Sequence, residues 1–317
     1  MSECQATPTN GSLVALIGPT AIGKTALSIE LAKEFDFEII SVDSMQVYRY
    51  MDIGTAKVTK EEMQGIPHHL IDVVDPDQDF DAGVFESMAL EACKDIEARG
   101  KKILVTGGTG LYLNALLNGL SAKLPSFPEI RERLLLDLAD NGAHVLHKEL
   151  LTCDCISAKR IHQNDSYRVM RGLEIFRGTG RTWSDLIREH REQQDVRFEN
   201  ILTIGLTRER SSLYERIEQR SMLMMENGFE EEVRWLLDKG YSHKLKSMGS
   251  IGYSHMTKYI SGEYDRGKML ELLTRDTRRY AKRQYTWFNK IKEIEWLKNK
   301  ETDRVKNLIG SFLRQDD

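Results

Sequence analysis

The chain has 317 residues, 40% of them hydrophobic and 30% charged, which suits a globular protein of one large domain or two modest ones. This excludes a disordered chain, and no apolar run nears the roughly 20 residues of a membrane span. A net charge of −4 does not advertise a nucleic-acid partner, and four cysteines (Cys4, Cys93, Cys153, Cys155) suggest no disulfide framework.

The opening MSECQATPTNGS lacks a basic patch followed by an apolar core, so no export signal is expected and the setting is taken as cytoplasmic. SLVALIG then reads as a strand, followed by a glycine turn and the helical pattern TALSIELAKEF. FEIISVDS predicts a second strand. FESMALEACKDIEARG and KKILVTGG predict a further helix and strand. Buried strands alternating with amphipathic helices predict an α/β fold, a parallel sheet covered on both faces. After Gly119 the stretch SAKLPSFP carries two of the six prolines, and from Glu129 to about Arg191 the pattern is helical throughout. FENILTIGLT reads as a strand again, with helices continuing to the end. The organisation expected is a P-loop core over 12–121 and 197–317, with an all-helical insertion over 122–196.

The sharpest local signal is Gly18-Pro19-Thr20-Ala21-Ile22-Gly23-Lys24-Thr25, which fits G-x-x-x-x-G-K-[ST] between a strand and a helix. Glycines let the backbone curl so that N–H groups point at phosphate oxygens, and the helix adds its positive end. Lys24 supplies a full charge, and the Thr25 hydroxyl is a candidate ligand for Mg²⁺. The loop says phosphate and does not say ATP hydrolysis. An ordinary P-loop ATPase carries a second strand ending in an Asp for the metal, whereas KKILVT ends in Thr106-Gly107-Gly108-Thr109. The strand EIISV does lead into an acid, Asp43, which serves either a metal or another purpose.

Taken together, residues 18–25, SVDSMQVYRYMDIGTAK (41–57) and GGTGLYLNAL (107–116) closely resemble the tRNA dimethylallyltransferase family, also called tRNA isopentenyltransferases. RIHQNDSYRVMRGLE (160–174), SMGSIGY (247–253) and AKRQYTWF (281–288) resemble further family segments in the expected order. One departure is Ile22, where the family more often has Ser, at a position that contributes mainly backbone. The resemblance implies a P-loop that binds the diphosphate of dimethylallyl diphosphate with Mg²⁺. It implies Asp43 as general base for the adenine amino group and Thr109 near the reacting groups. Arg220 is implied as a further diphosphate contact. It implies tRNA contacts at Asp43, Ser44, Met45, Gln46, Thr109, Arg131, Tyr167, Arg168, Val169, Met170 and Arg171, and at Met248, Gly249, Ser250, Ile251, Gly252 and Tyr253. The implied acceptor is adenosine 37 in the anticodon stem-loop. The chemistry stands without the name: an amine attacking an allylic carbon needs a base, and a departing diphosphate needs its charge stabilised.

From Arg266 to Lys292 nine Lys/Arg residues meet only two acids, Glu271 and Asp276. Arg275, Arg279 and Arg283 recur every four residues, on one helix face, with Tyr280, Tyr285, Trp287 and Phe288 interleaved. Arg279 and Arg283 are therefore candidate phosphate contacts, against the alternative of a solvated basic helix whose aromatics, Trp287 and Phe288 foremost, face the core. Arg160, Arg168 and Arg171 could form a second basic edge. His68-His69, ahead of the apolar stretch LIDVVDP read as a strand, is taken as structural. Cys153-Asp154-Cys155 with His147 lacks common zinc spacing, and Met222–Met225 reads as core packing. The rival functions are prenyl transfer to a free adenine nucleotide, a P-loop nucleotide kinase, and a nucleotide-gated RNA-binding protein. The insertion and the basic stretch favour tRNA over a small nucleotide. No membrane partner is expected, and nothing demands more than a monomer.

Overall fold

The computed structural model describes residues 9–120, 126–192 and 196–314. Cys4, most of the SAKLPSFP segment and the expected 121/122 boundary lie outside the described residues. Contacts divide the chain into two compact units, Met1–Leu117 with Val196–Asp317, and Asn118–Asp195. Among the described residues no helix is long and apolar enough to cross a membrane.

The first unit is built on β1 (Thr9–Ile17), β2 (Phe37–Val42), β3 (His68–His69), β4 (Lys102–Gly107), β5 (Phe198–Thr207) and β6 (Ile294–Lys298). All pair in parallel, in the order β3-β2-β4-β1-β5-β6. The apolar runs are the central strands: Leu13 to Ile17 are at most 1% exposed and β2 is buried throughout. Side chains alternate between faces. Val14, Leu16, Ile39, Leu104 and Ile204 join Leu27 and Leu31 of α1 (Lys24–Phe35) in one core cluster. Each such fully buried aliphatic side chain contributes about 1.5–3 kcal/mol. After α2 (Lys60–Met63), α3 (Ala82–Ala98) packs on β1, β2 and β4 through Phe85, Ala89, Cys93 and Ile96, and α4 (Gly110–Asn118) follows β4.

The second unit holds α5 (Pro128–Cys153), α6 (Cys155–Arg160), α7 (Ser166–Thr179) and α8 (Trp183–Glu192). The first of these is broken at Gly142, where φ is 77° and ψ 164°. Its core is Leu134, Leu146, Leu150, Ala158, Ile161, Val169 and Leu173. The first unit then resumes with α9 (Arg210–Glu226), α10 (Phe229–Asp238), α11 (Tyr253–Ile260), α12 (Arg266–Phe288) and α13 (Thr302–Leu313).

Three expectations are corrected. LIDVVDP is not a strand: Leu70 and Asp72 sit at φ 64° and 57°, and the 72–74 amides bond to the carbonyls of Gln46 and Val47. The edge strand is His68–His69 itself, paired with Ile39 and Ile40. Helices do not run unbroken to the end, because Ile294–Lys298 adds an edge strand beside β5. Its charged, half-exposed pattern is what an edge tolerates and what hides it in sequence. Finally, the Met222–Met225 cluster is not all core: Met224 is buried, while Met222 is 46% exposed.

Candidate active site

Parallel strands place all their carboxyl ends on one edge of the sheet, where open α/β sheets bind ligands. Ile17 of β1 pairs with Gly107 of β4, which pairs with Val42 of β2. Gly18, Gly108 and Asp43 therefore emerge side by side. The sequence blocks around 18–25, 43–46 and 107–109 converge by strand register alone.

The phosphate loop curls through Gly18, Ala21 and Gly23 at φ 154°, 62° and 110°. Ile22 is fully buried in the core cluster beneath the loop, so the departure at this position bears on packing. Lys24 Nζ donates to the carbonyls of Gly18 (2.8 Å) and Pro19 (2.9 Å). Burial lowers its pKa to about 8; nearby Asp43 opposes this, while Arg220 adds to it. Arg220 of α9 donates to Thr20 Oγ1 (2.9 Å) and to the Thr55 carbonyl (3.3 Å), and burial lowers its pKa as well. Among the described residues neither cation is in an ion pair with a carboxylate. Two desolvated positive groups hydrogen-bonded to neutral oxygens could receive a multiply charged anion. Arg216, one turn earlier, donates from Nε to the Ala21 carbonyl at 2.9 Å.

Facing them, Asp43 Oδ1 accepts the amides of Met45 (2.8 Å) and Gln46 (3.2 Å). These bonds fix the carboxylate and leave Oδ2 without a hydrogen bond among the described residues. Thr109 Oγ1 accepts the Ser44 amide at 3.0 Å, tying the two loops together. Their approach requires glycine: a Cβ on Gly107 would lie 2.1 Å from the Val42 carbonyl oxygen, and one on Gly108 would lie 2.1 Å from Gln284 Nε2. Gln284, buried on α12, accepts the Thr20 amide (2.9 Å) and donates to the Gly108 carbonyl (2.9 Å). It thus staples the phosphate loop to the Gly107–Thr109 turn. Tyr280, one turn earlier, has its hydroxyl pushed up to about 12 by burial and by Asp43.

Two cavities open here, of about 460 and 270 Å³, both bordered by Thr20, Asp43, Thr55, Arg220 and Tyr280. The larger runs along the phosphate loop, Lys24 and Thr25. The smaller adds Ser44, Met45, Ser250, Ile251, Arg283 and the apolar side chains of Ile217, Met224 and Leu273. Gln284, Tyr280, Thr55 and Arg216 were not singled out as site residues from sequence. For Gln284 a signal existed: an uncharged polar residue between Tyr280 and Phe288 on the inward face of an otherwise basic helix.

Other expected site residues divide by burial. Arg279 and Arg283 are exposed on α12, but Asp276 engages Arg275 (2.9 Å) and Arg279 (3.3 Å). Arg283 rests over the Tyr280 ring at 5.6 Å. Phe288 is buried and Trp287 packs against Gly110. Gly249, Ser250 and Ile251 remain at least partly accessible, Gly252 is buried, and the Met248 and Tyr253 side chains are fully buried. Those two side chains are core, so a contact from this segment to RNA would have to come from its main chain or from the accessible Gly249–Ile251. The Val169 side chain in the second unit is likewise core, whereas its neighbours Tyr167 and Arg168 are exposed. There Arg131 (2.8 Å) and Arg171 (3.0 Å) clasp the buried Glu174. His147 Nε2 lies against the Ala158 and Ile161 carbonyls, and Asp154 caps α6.

Fold and site define a P-loop protein that sets an anion receptor against a fixed carboxylate, the layout of a group transferase with a phosphorylated donor. The family model described as IPP transferase matches residues 46–291. The chain is 52% identical over 301 residues, 95% of each chain, to a tRNA dimethylallyltransferase of Desulfotalea psychrophila. It is 43% identical to that of Clostridioides difficile, over 95% of this chain and 97% of the relative. Among solved structures it is similar to a tRNA isopentenylpyrophosphate transferase from Bacillus halodurans (38% identity, TM-score 0.71, covering 97% of this chain and 98% of that one). It is also similar to a eukaryotic dimethylallyltransferase described as acting on tRNA (30%, TM-score 0.75, covering 91% and 74%). The chain belongs to the tRNA dimethylallyltransferase family.

Proposed function

We propose that this protein transfers the dimethylallyl group of dimethylallyl diphosphate to N6 of adenosine 37, beside the tRNA anticodon, releasing diphosphate. The observation that carries this reading is the pair Lys24 and Arg220, desolvated and in no ion pair among the described residues, lining with Asp43 a shared cavity. The amide groups of Ala21–Thr25 with Lys24 and Arg220 bind the diphosphate, and Thr20, its own amide held by Gln284, orients Arg220 through its hydroxyl. The N6 lone pair attacks the allylic carbon, the carbon–oxygen bond breaks, and its electron pair leaves with the diphosphate. Asp43 Oδ2 takes the proton that the new ammonium must lose. Thr109 and Gln284 hold the Asp43 loop and the phosphate loop at one spacing, so the two partners meet in a near-attack arrangement.

Mg²⁺ fits this site in a particular way. Among the described residues no three His, Cys, Asp or Glu cluster as a metal cage. The ion would rest on the Thr25 hydroxyl and the donor's phosphate oxygens, an oxygen-only set of the kind it prefers. Bound there, it would neutralise charge building on the leaving diphosphate. Ser44, Met45, Gln46, Ser250, Ile251, Arg279 and Arg283 are assigned to the tRNA, with Arg131, Tyr167, Arg168, Met170 and Arg171 of the insertion. A flipped adenine must leave its stack to reach such a cavity. The protein acts in the cytoplasm, and a monomer suffices.

The test mixes the protein with isotopically labelled dimethylallyl diphosphate, Mg²⁺ and either bulk tRNA or AMP. Label in tRNA supports the reading. Label in AMP alone makes it an adenylate prenyltransferase, and label in neither overturns prenyl transfer.

A further inference from the structure

One carboxylate outside both cavities gathers the loops that wall them. Glu232, in the first turn of α10, accepts four hydrogen bonds. Oε2 takes the amides of Asp52 (2.9 Å) and Ile53 (2.7 Å). Oε1 takes the Gly54 amide (3.1 Å) and the Tyr253 hydroxyl (2.6 Å). Three successive amides converging on one anion form a nest, here filled by the protein's own side chain. The donors belong to two segments that border the smaller cavity, one through Gly54 and Thr55, the other through Ser250 and Ile251 just ahead of Tyr253.

The clamp has little slack. A Cβ on Gly54 would lie 2.3 Å from the Phe229 ring and 2.5 Å from the Tyr253 ring. Those rings, both fully buried, meet edge to face at 5.2 Å. On the other flank the buried Lys57 ammonium binds the Tyr48 carbonyl (2.7 Å), Asp52 (2.6 Å) and Asp72 (2.6 Å). The segment so fixed ends at Thr55, whose carbonyl accepts Arg220.

We propose that Glu232 is a positioning residue for prenyl transfer: by gathering the 52–54 amides and Tyr253, it sets the cavity wall that aims Arg220 at the donor. This rests on the prenyl-transfer reading. Glu232 touches no reacting atom, and it acts through Thr55 and Arg220.

The experiment measures single-turnover prenylation of tRNA at saturating donor, with melting temperature recorded for each full-length variant. Glu232→Ala is expected to slow the step about 100-fold, the scale of a displaced catalytic contact. Glu232→Gln keeps the shape but, whichever way the amide turns, sets its NH₂ against at least one backbone N–H, and is expected to lose about tenfold. Tyr253→Phe, which keeps the ring and removes one donor, should lose a few-fold. Combining Glu232→Gln with Arg220→Ala should cost no more than Arg220→Ala alone, because both remove the same alignment. Even if Glu232→Ala fails to fold, the Gln and Phe variants decide the matter. Wild-type turnover in folded Glu232→Gln overturns the proposal, as does an additive effect with Arg220→Ala. A wild-type protein that labels no tRNA would instead sink the prenyl-transfer reading itself.

Discussion

The two units hold their charged groups differently. In the insertion, Glu174 is enclosed by Arg131, Arg171 and the Phe127 amide, and Arg177 by Glu149 and Asp137. Burial opposes charge on Glu174, but those donors outweigh it and hold its carboxyl below the usual range. At the cavity of the first unit, Lys24 and Arg220 are desolvated and hydrogen-bond, among the described residues, to carbonyl and hydroxyl oxygens, with the Asp43 carboxylate near but not in an ion pair with either. The insertion's pairs close on themselves, while the cavity's cations are in no ion pair among the described residues and, on the proposed reading, await an anion. Mutations in the two regions should therefore fail in different ways.

The largest effect is expected at Asp43. Asp43→Asn should keep both ligands bound and slow the chemical step by about 10²–10⁴-fold, the scale of a positioned general base. Single-turnover kinetics with saturating donor and tRNA separates chemistry from binding. Recovery of the normal rate at raised Mg²⁺ would make Asp43 a metal residue instead.

Next is Lys24→Ala, expected to lose donor binding and about 10²–10³-fold in turnover while tRNA binding persists. Unchanged affinity for a dimethylallyl diphosphate analogue would break the idea that this cation is held for the donor.

The matching change in the insertion is Glu174→Ala. It strands two arginines, and should cost about 1–3 kcal/mol of stability with donor affinity unchanged. Acidification should mimic it: a depressed carboxyl contributes fully above the ordinary glutamate range and loses its contribution as pH falls through its folded value. Denaturation followed beside analogue binding would test whether the two properties separate.

A gentler probe is pH on the donor side. Lys24 is charged below about 8 and must be charged to hold the diphosphate. Affinity should be flat between about pH 7 and that value, above the range where the donor's own phosphate titrates, and fall by up to about tenfold per unit above it, with proton uptake on binding. Calorimetry in buffers of different ionisation heat measures that uptake, and Lys24→Ala should abolish it.

The smallest effect concerns the exposed stripe of α12. Replacing Arg279 and Arg283 by Ala should flatten the log–log salt dependence of tRNA binding by about one unit per lost phosphate contact. Asp276 already shares Arg279, so Arg283 should carry the greater part. An unchanged slope would reduce the stripe to solvated surface.

Much was legible from contiguous residues. Gly18–Thr25 encodes its own curl, and the apolar runs before Gly18, Asp43 and Gly107 announce parallel strands whose ends must meet. Asp43 and Thr109 come together because strand register brings Val42 and Gly107 level. The edge strands were missed because two histidines carry no apolar signal, and a five-residue run with only Leu297 buried is too short to stand out beside a long helix.

What the sequence by itself determined is the local chemistry: a phosphate loop, an acid after the second strand, a glycine-rich turn, a basic helix face and a family likeness. Only tertiary structure decided which face of each helix meets which cavity. Helical period puts Tyr280, Gln284 and Phe288 on one side of α12, but not what they touch. Gln284 bonds to Thr20, 264 residues away, and Glu232 gathers amides some 180 residues away. The same packing took Val169, Met248 and Tyr253 into the core. Such partners are chosen by the geometry of buried hydrogen bonds, which must be satisfied wherever the folded chain happens to place them.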